Sequence, residues 1–373
     1  MIALLALIPV AIWLYLLAGR GMFWVMAERD DASATPPAAW PSVVAVVPAR
    51  NEADVIARSI GSLLAQDYPG DFRVVLVDDQ SEDGTGDIAR SLGGKLEVLG
   101  GTPRPASWAG KVWAMRQGVA RAGTPDYIWF TDADIEHEKE NLRQLVARAE
   151  DGKLVLTSLM VKLHCKGWVE AYLIPAFVFF FAMLYPFRWV NDPRRRTAAA
   201  AGGCMLVRRE ALERAGGIDA IKGEIIDDCA LGRALKRQGP IWLGLTARAS
   251  SIRPYAGMPE IRRMVARSAY AQLGYSPLAL LATLLGMLIV YAAPPLLALF
   301  ARESAQASGI LAWAAMTLAF QPIAKFYRVS PLWGLVLPLI GGLYALFTFD
   351  SAVQHWRGRG GMWKGRAQAL GQS

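Results

Sequence analysis

The apolar residues of this chain are gathered at its two ends, and that placement limits its fold more than any other feature. Ile2 to Leu17 carries no charge, Arg20 follows it, and Met22–Met26 is apolar and aromatic. Beyond Ser276 lie three more runs poor in charge, Pro277–Phe300, Ile310–Ile323 and Leu332–Phe349. A helix needs roughly 20 residues to cross a hydrocarbon core, and these runs reach or approach that length. A buried soluble bundle is the alternative, and the scarcity of charge weighs against it. Hydrophobic residues make up 54% of the 373, and the mean hydropathy of +0.26 is too high for an ordinary soluble protein.

A secretory signal carries its positive charge ahead of its apolar core, whereas Arg20 comes after it. We therefore expect an N-terminal transmembrane anchor over residues 1–27 of a multi-pass inner-membrane protein, with the following domain cytoplasmic. Ala32-Ser33-Ala34 leaves a cleaved signal as the alternative. Asp30 to Pro41 reads as a linker. Residues 42–275 have the mixed pattern of an α/β domain, 276–350 are expected to form transmembrane helices, and 351–373 are a basic tail. Three full spans after an inside domain would place Arg357–Arg366 outside, against the positive-inside rule. Either one segment is re-entrant, with Ala292–Pro295 as the candidate break, or the rule fails here. Trp168 to Val190, apolar and aromatic with Pro175 and Pro186 inside it, is expected to lie as an interfacial helix, a buried core helix being the other reading.

The formal charge of +8 and isoelectric point near 9.5 suit a phosphate-bearing partner, whether anionic lipid or nucleotide. Zinc-finger spacing and RNP-like signatures are missing, so nucleic acid is not expected as a partner. Cys165, Cys204 and Cys229 form no C-x-x-C pair, which argues against a disulfide framework and fits a reducing compartment. His137, His164 and His355 show no zinc-ligand spacing.

Val43–Val47 is a continuous apolar run suited to a parallel strand buried on both faces. It ends in Pro48-Ala49-Arg50-Asn51-Glu52, and Ala53–Gln66 carries helical periodicity. Phe72–Val77 ends in Asp78-Asp79, with a helix beginning near Asp83; Leu96–Leu99 precedes a helix over Val112–Arg121. Tyr127–Phe130 ends in Asp132 and Asp134. Strand alternating with helix implies a doubly wound sheet, whose ligands bind beyond the carboxyl ends of the strands. Neither G-x-x-x-x-G-K-[ST] nor G-x-G-x-x-G follows the first strand, which disfavours an ATPase or a dinucleotide enzyme. Phosphates then depend on a metal and on side chains such as Lys111. On a strand end, residues two apart point the same way, so Asp132 and Asp134 are expected to aim at one point. Two like charges so placed suit a hard divalent cation between them; a polar surface turn is the bland reading.

"VVPARNE", "VVLVDDQSEDGT", "TDADI", "GGCMLVRREALERAGG" and "IIDDCALGRALKRQG" stand in the order and spacing of family 2 glycosyltransferases with the GT-A fold. The resemblance covers roughly Ser42 to Ser251. The membrane ends and the tail Gly361–Arg366 look most like the hopene-associated branch, relatives of ceramide glucosyltransferases. It implies a GT-A mixed sheet in which Pro48, Ala49, Arg50, Glu52 and Asp79 bind the nucleoside of a nucleotide sugar. Asp132 and Asp134 match the D-x-D motif, holding Mg²⁺ or Mn²⁺ on the diphosphate and contacting the ribose or sugar. Asp228 falls on the catalytic base, with Asp227 in place of the family's usual preceding Glu. The capping of a helix over Cys229–Gln238 is the structural alternative for Asp228. The family's Q/R-x-x-R-W element is imperfect here: "IRRMVARSAYAQLG" lacks the Trp, and Arg267 is the residue that could reach phosphate, or else anchors the cytoplasmic face. That departure favours transfer of a single sugar over polymer synthesis.

The implied activity is metal-dependent, inverting transfer of one sugar, from UDP-sugar by the family's habit, to a lipid in the bilayer such as a hopanoid or sphingolipid-like molecule. A polyprenyl-phosphate sugar transferase, or a non-catalytic membrane protein retaining the fold, are the alternatives.

Overall fold

Val43–Ala49 is buried along all seven of its residues, and an eight-stranded sheet is built outward from this strand. The protein is described from a computed structural model over residues 2–363 and 366–367. The chain forms two compact units, one from Glu28–His164 and Trp189–Pro254 (with Met362–Trp363 and Arg366–Ala367), the other from residues 2–27, 165–188 and 255–361.

The first unit holds the sheet. Its strands are β1 Val43–Ala49, β2 Phe72–Asp78, β3 Leu96–Gly100, β4 Tyr127–Thr131, β5 Ile135–His137, β6 Leu156–Lys162, β7 Cys204–Arg208 and β8 Ile241–Ser251, in the order β3-β2-β1-β4-β7-β6-β8-β5. β1 pairs in parallel with β2 and β4, and β2 with β3. β7 then runs antiparallel to both β4 and β6, which makes the sheet mixed. Helices cover it closely. In Ile56–Leu64, the residues Ile56, Ile60 and Leu63 share one face and are fully buried, each contributing ~1.5–3 kcal/mol. Gly118 of the helix Gly110–Arg121 sits so near β1 that a Cβ there would stand 2.4 Å from Val46 Cγ1. Parallel β1, β2 and β4 therefore discharge Pro48–Glu52, Asp78-Asp79 and Asp132 at one sheet edge.

The first four strands lie where the sequence puts them, each running one or two residues further. One local expectation is corrected. β4 stops at Thr131, and Asp132–Asp134 form a turn into β5, with the Ile135 amide donating to the Asp132 carbonyl at 3.3 Å. Strand alternation therefore does not govern these acids.

The second unit is helical. Successive helical segments run from Ile2 to Gly19, followed by Trp168–Leu184, Met258–Ala266, Pro277–Phe300, Glu303–Tyr327 and Leu337–Trp356. Among the described residues, Pro277–Phe300 and Glu303–Tyr327 are long and apolar enough to cross a membrane, while Leu7–Gly19 and Trp168–Leu184 are shorter apolar helices. Only 17% of the most apolar window of Pro277–Phe300 is buried, so Leu278, Leu281, Leu285, Leu296 and Phe300 face outward. A helix apolar all round and uncovered needs an apolar surrounding. Ala292–Pro295 is not a break: a wider, π-type turn at Leu288–Ala292 absorbs Pro294 and Pro295, and the helix continues to Phe300. Trp168–Leu184 likewise continues through Pro175. The buried Glu170 caps its start, accepting the amides of Lys166 and Gly167 at 2.8 Å each. Of the tail motif, Met362–Trp363 pairs antiparallel with Arg366–Ala367; Lys364, Gly365 and residues 368–373 of the expected basic tail lie outside the described residues.

Candidate active site

At the carboxyl edge of the sheet, the loops after β1 and β2 are knitted into one frame. Arg50 donates from Nη1 to the carbonyls of Asp79 and Gln80. The Asp79 amide donates to the carbonyl of Ala49, which follows Pro48 in β1, at 2.8 Å. Asn51 and Gln80 are both left-handed, at φ +50° and +55°, a conformation Asn tolerates better than most residues. The Asn51 amide donates to Ser81 Oγ at 3.0 Å, and Asn51 Oδ1 accepts from the Glu82 amide at 3.0 Å. The Glu52 amide reaches Thr85 Oγ1 at 2.8 Å. Asp79 is completely buried, and Arg50 and Glu52 nearly so. The sequence-predicted nucleoside residues are thus held in a single rigid element.

Lys111 gathers the next group. It opens the helix Gly110–Arg121, and its Nζ lies 2.8 Å from Asp132 Oδ1 and 3.3 Å from Asp227 Oδ2. Asp228, next along, lies inside the helix Asp227–Lys236, with Ile226 at the cap position. Its two carboxylate oxygens accept separate backbone amides, Oδ1 from Cys229 at 2.7 Å and Oδ2 from Gly202 at 2.9 Å. Glycine at 202 suits this approach: a Cβ would stand 3.1 Å from Lys111 Nζ and 3.4 Å from Asp228 Oδ2, so one of those side chains would have to shift. Burial, followed by the adjacent charge of Asp227, pushes the Asp228 carboxyl up to about 6, against the pull of Lys111 and the two amides. Burial works against the charge on Lys111, but Asp132, Asp227 and Asp228 outweigh it and hold the ammonium well above its usual range. Asp227 Oδ2 is buried and accepts no hydrogen bond, its one close contact being the ion pair. A recess beside this cluster is lined by Pro48, Lys111, Met115, Phe130, Asp132 and Gly202, among others.

A second cation organises the outer acids. Arg253, just past β8, ion-pairs with Glu52, with Asp54 at 3.2 Å and with Asp134 at 3.6 Å. The D-x-D acids therefore do not converge on one partner: Asp132 is held by Lys111 and Asp134 by Arg253. Among the described residues no group of three or more His, Cys, Asp or Glu side chains is placed to hold a metal unaided. Ions of the Mg²⁺ type are commonly bound by one or two carboxylates with substrate phosphates completing the shell. Asp132 and Asp134, 35% and 25% exposed at the lip of the sheet, fit that donor set.

Behind the edge, His137 is buried and neutral, its ring pushed down to about 3 by burial. Nδ1 accepts from Asn141 Nδ2 at 3.0 Å, so Nε2 donates to Thr131 Oγ1 at 2.9 Å. The Thr131 hydroxyl in turn donates a hydrogen bond to the Gly203 carbonyl, also at 2.9 Å. This chain ties the residue before Asp132 to the one after Gly202. Arg267 belongs to the helical unit, at the end of Met258–Ala266, with its side chain exposed.

Sequence reasoning passed over Arg253, Gly202 and the His137 relay. The Gly202-Gly203 pair before β7 was the available signal for the second, since paired glycines ahead of a strand mark a close backbone approach. Arg253 has no local signal, because its partners lie 119 or more positions away.

Residues 44–216 match the family described as Glycosyl transferase family 2. The 4,4'-diaponeurosporenoate glycosyltransferase of Staphylococcus aureus (strain USA300) is 30% identical over 196 residues, 52% of this chain and 51% of that protein. The chain thus spans about half the length of the curated relatives it matches. Among solved structures, the mannosyltransferase PcManGT from Pyrobaculum calidifontis, in complex with GDP-Man and Mn²⁺, is similar with a TM-score of 0.54 over 95% of this chain and 98% of that one. At 20% identity that likeness is one of fold.

Proposed function

We propose that this chain, which carries a glycosyl transferase family 2 domain with a GT-A-like mixed sheet, transfers one sugar from a nucleoside-diphosphate sugar to a hydroxyl of a membrane lipid, with inversion. The observation that carries the reading is the cluster around Lys111, where Asp132 at the strand end meets the buried Asp227 and a half-buried Asp228 with its carboxyl near 6. A base is most effective when its proton affinity lies close to the working pH, and Asp228 meets that condition.

Roles follow from position. Pro48, Ala49, Arg50, Glu52 and Asp79 hold the nucleoside, a uridine by family habit. Asp228 takes the proton of the acceptor hydroxyl as its oxygen attacks the anomeric carbon; one base and direct displacement give inversion. Gly202 and Cys229 fix the orientation of that carboxylate through their amides. Lys111 stays charged and keeps Asp132 in place. A Mg²⁺ or Mn²⁺ held by Asp132 and Asp134 would neutralise the departing diphosphate as a Lewis acid. Arg267 remains the candidate for a further phosphate contact.

The outward apolar face of Pro277–Phe300 supports a bilayer setting. On this reading residues 1–27 anchor the chain, 42–275 carry the catalysis on the cytoplasmic side of the inner membrane, 276–350 are membrane helices and Trp168–Leu184 lies at the interface. The acceptor would be a hopanoid or sphingolipid-like lipid, after the hopene-associated and ceramide glucosyltransferase resemblance.

The test is a screen of labelled nucleotide sugars against membrane lipid extract, with and without EDTA, repeated for Asp134→Ala and Asp228→Asn. Labelled lipid that disappears with EDTA and in both variants is the expected result. Activity surviving all three treatments overturns the site. A mild Asp228→Asn with strong EDTA sensitivity points instead to a polyprenyl-phosphate acceptor, which needs no strong base. No turnover of any nucleotide sugar leaves a non-catalytic protein.

A further inference from the structure

Between the helices Glu303–Tyr327 and Leu337–Trp356 the chain does something a simple run of spans would not. Pro277–Phe300 and Glu303–Tyr327 are antiparallel neighbours: a Cβ on Gly309 would meet the Pro294 carbonyl and the Ala298 amide at 2.7 and 2.4 Å. Leu337–Trp356 is also antiparallel to Pro277–Phe300. Gly341 lies against the ring of Tyr291, and Ala352 packs with Leu280 and Tyr270 in one buried cluster. Ser351 accepts from the Tyr270 amide at 3.0 Å, and Asp350 takes a two-pronged pair from Arg262 at 2.7 and 2.9 Å. The last helix therefore ends beside the start of Pro277–Phe300, although as the third of three alternating helices it would end at the opposite side.

The return trip is made by residues 328–336. Arg328, left-handed at φ +56°, reverses the chain at the end of Glu303–Tyr327. The following residues run back along that same helix, with a single 3-10 turn at Pro331–Gly334. Their carbonyls find donors on one stripe of it, at positions four apart. Gln321 Nε2 donates to the Pro331 carbonyl at 3.2 Å and Trp313 Nε1 to Leu335 at 2.9 Å, while Thr317 Oγ1 shares its one proton between the Trp313 carbonyl at 2.9 Å and that of Gly334 at 3.3 Å. The climb from 331 to 335 thus parallels the descent from 321 to 313. Gly334 is needed for it, since a Cβ would stand 2.8 Å from the Thr317 carbonyl. In hydrocarbon, non-helical backbone survives only where protein groups satisfy it, and this stripe supplies such groups in the middle of an otherwise apolar helix.

We propose that residues 328–336 form a re-entrant membrane segment without α-helix, and that Leu337–Trp356 returns the chain to the side from which Pro277–Phe300 departs. This rests on the bilayer reading above. By Leu335 the chain is level with Trp313, a climb from Tyr327 of roughly 21 Å at ~1.5 Å per helical residue, which the segment covers even with one 3-10 turn in it. The basic residues Arg357 and Arg359 then share a side with Ser276. The positive-inside rule is satisfied, and the break lies at Pro331–Gly334.

The test uses the full chain in its native membrane, with Cys165 replaced by serine and the buried Cys204 and Cys229 retained. Single cysteines at Ser276, Ser304, Arg328 and Arg357 are probed with a membrane-impermeant maleimide on intact cells and on inverted vesicles. Labelling of 276, 328 and 357 from one side and 304 from the other is the expected pattern. Labelling of 357 from the side of 304, with 276 opposite, overturns the re-entrant segment while leaving the bilayer reading intact. Labelling of 276 and 304 from the same side overturns the bilayer reading itself, and the inference with it.

Discussion

Replacing Asp228 by asparagine should stabilise the fold at neutral pH while removing activity. The carboxyl moves from its ordinary 3.8 to about 6 in the folded protein. A folded-state value above the unfolded one means that the folded protein binds the proton more tightly. That advantage is fully present below about pH 4 and is lost as pH rises through 6. About two pH units at 1.36 kcal/mol each make the ionised Asp228 cost roughly 3 kcal/mol above pH 7. Asparagine escapes this cost but gives some of it back. Oδ1 and Oδ2 both accept backbone amides, and a carboxamide offers one oxygen, so one buried N–H loses its partner at ~1–2 kcal/mol. The net expectation is a gain of about 1–2 kcal/mol at pH 8, or ~3–6 °C in Tm for a domain of this size. At pH 4 the gain vanishes or turns slightly negative. Thermal unfolding of the detergent-solubilised protein at pH 4, 6 and 8 measures this directly. An Asp228→Asn protein that lost more than 1 kcal/mol at pH 8 would refute the reasoning, because the carboxylate would then be a net support of its helix.

Other consequences follow from the same cluster. The acid limb of kcat/KM should fall off below about pH 6, where Asp228 is protonated; a rate unchanged between pH 5 and 8 would remove it as the base. Lys111→Met deletes the charge that restrains Asp228, so that limb should move to higher pH by about one unit or more, alongside at least a tenfold loss of kcat. Gly202→Ala, with a Cβ 3.1 Å from Lys111 Nζ, should lower kcat about tenfold while shifting stability by less than ~1 kcal/mol; equal activity would mean that the contact yields freely. Arg253→Gln frees Asp134 from its ion pair, and half-saturation by Mn²⁺ should fall several-fold, read by titrating activity after EDTA treatment.

The parts of the fold that were legible in the sequence are those set by neighbouring residues. β1, β2 and β4 announce themselves because a strand buried on both faces must be apolar at every position, as Val43–Val47 and Tyr127–Phe130 are. β8 carries Gly244, Arg248 and two serines within Ile241–Ser251 and pairs with β6, some 85 positions earlier; no local pattern encodes that. The D-x-D acids were found by motif, but their directions were misjudged, because the alternation rule applies to strands and Asp132–Asp134 is a turn. In the helical unit, Ala292–Pro295 looked like a break because two prolines adjoin, yet one wider turn accommodates them. The interruption of α-helix, a single 3-10 turn at Pro331–Gly334, was hidden at the start of the apolar run Leu332–Phe349, where hydropathy outweighs a single Pro and Gly.

The balance of charge at the sheet edge bears on how a donor can enter. Glu52, Asp54 and Asp134 ion-pair with Arg253, and Asp132 and Asp227 with Lys111, which Asp228 also adjoins. Arg50 adds a third positive charge, but its guanidinium is aimed at the Asp79 and Gln80 carbonyls that brace the loop. An excess of carboxylates repels a bare diphosphate, and the repulsion is strongest where burial lowers the dielectric, as at Asp227 and Asp228. A donor that arrives with its own divalent cation meets the opposite situation, since Asp132 and Asp134 are the two acids with the most open approach after Asp54 among those whose exposure is known. The protein's own cations hold these acids apart in the meantime, Lys111 pairing with Asp132 and Arg253 with Asp134. The two ion pairs and a cation on the diphosphate are then alternative ways of neutralising the same oxygens. A site that bound its donor equally well with and without divalent cation, measured by equilibrium binding rather than turnover, would contradict that arrangement.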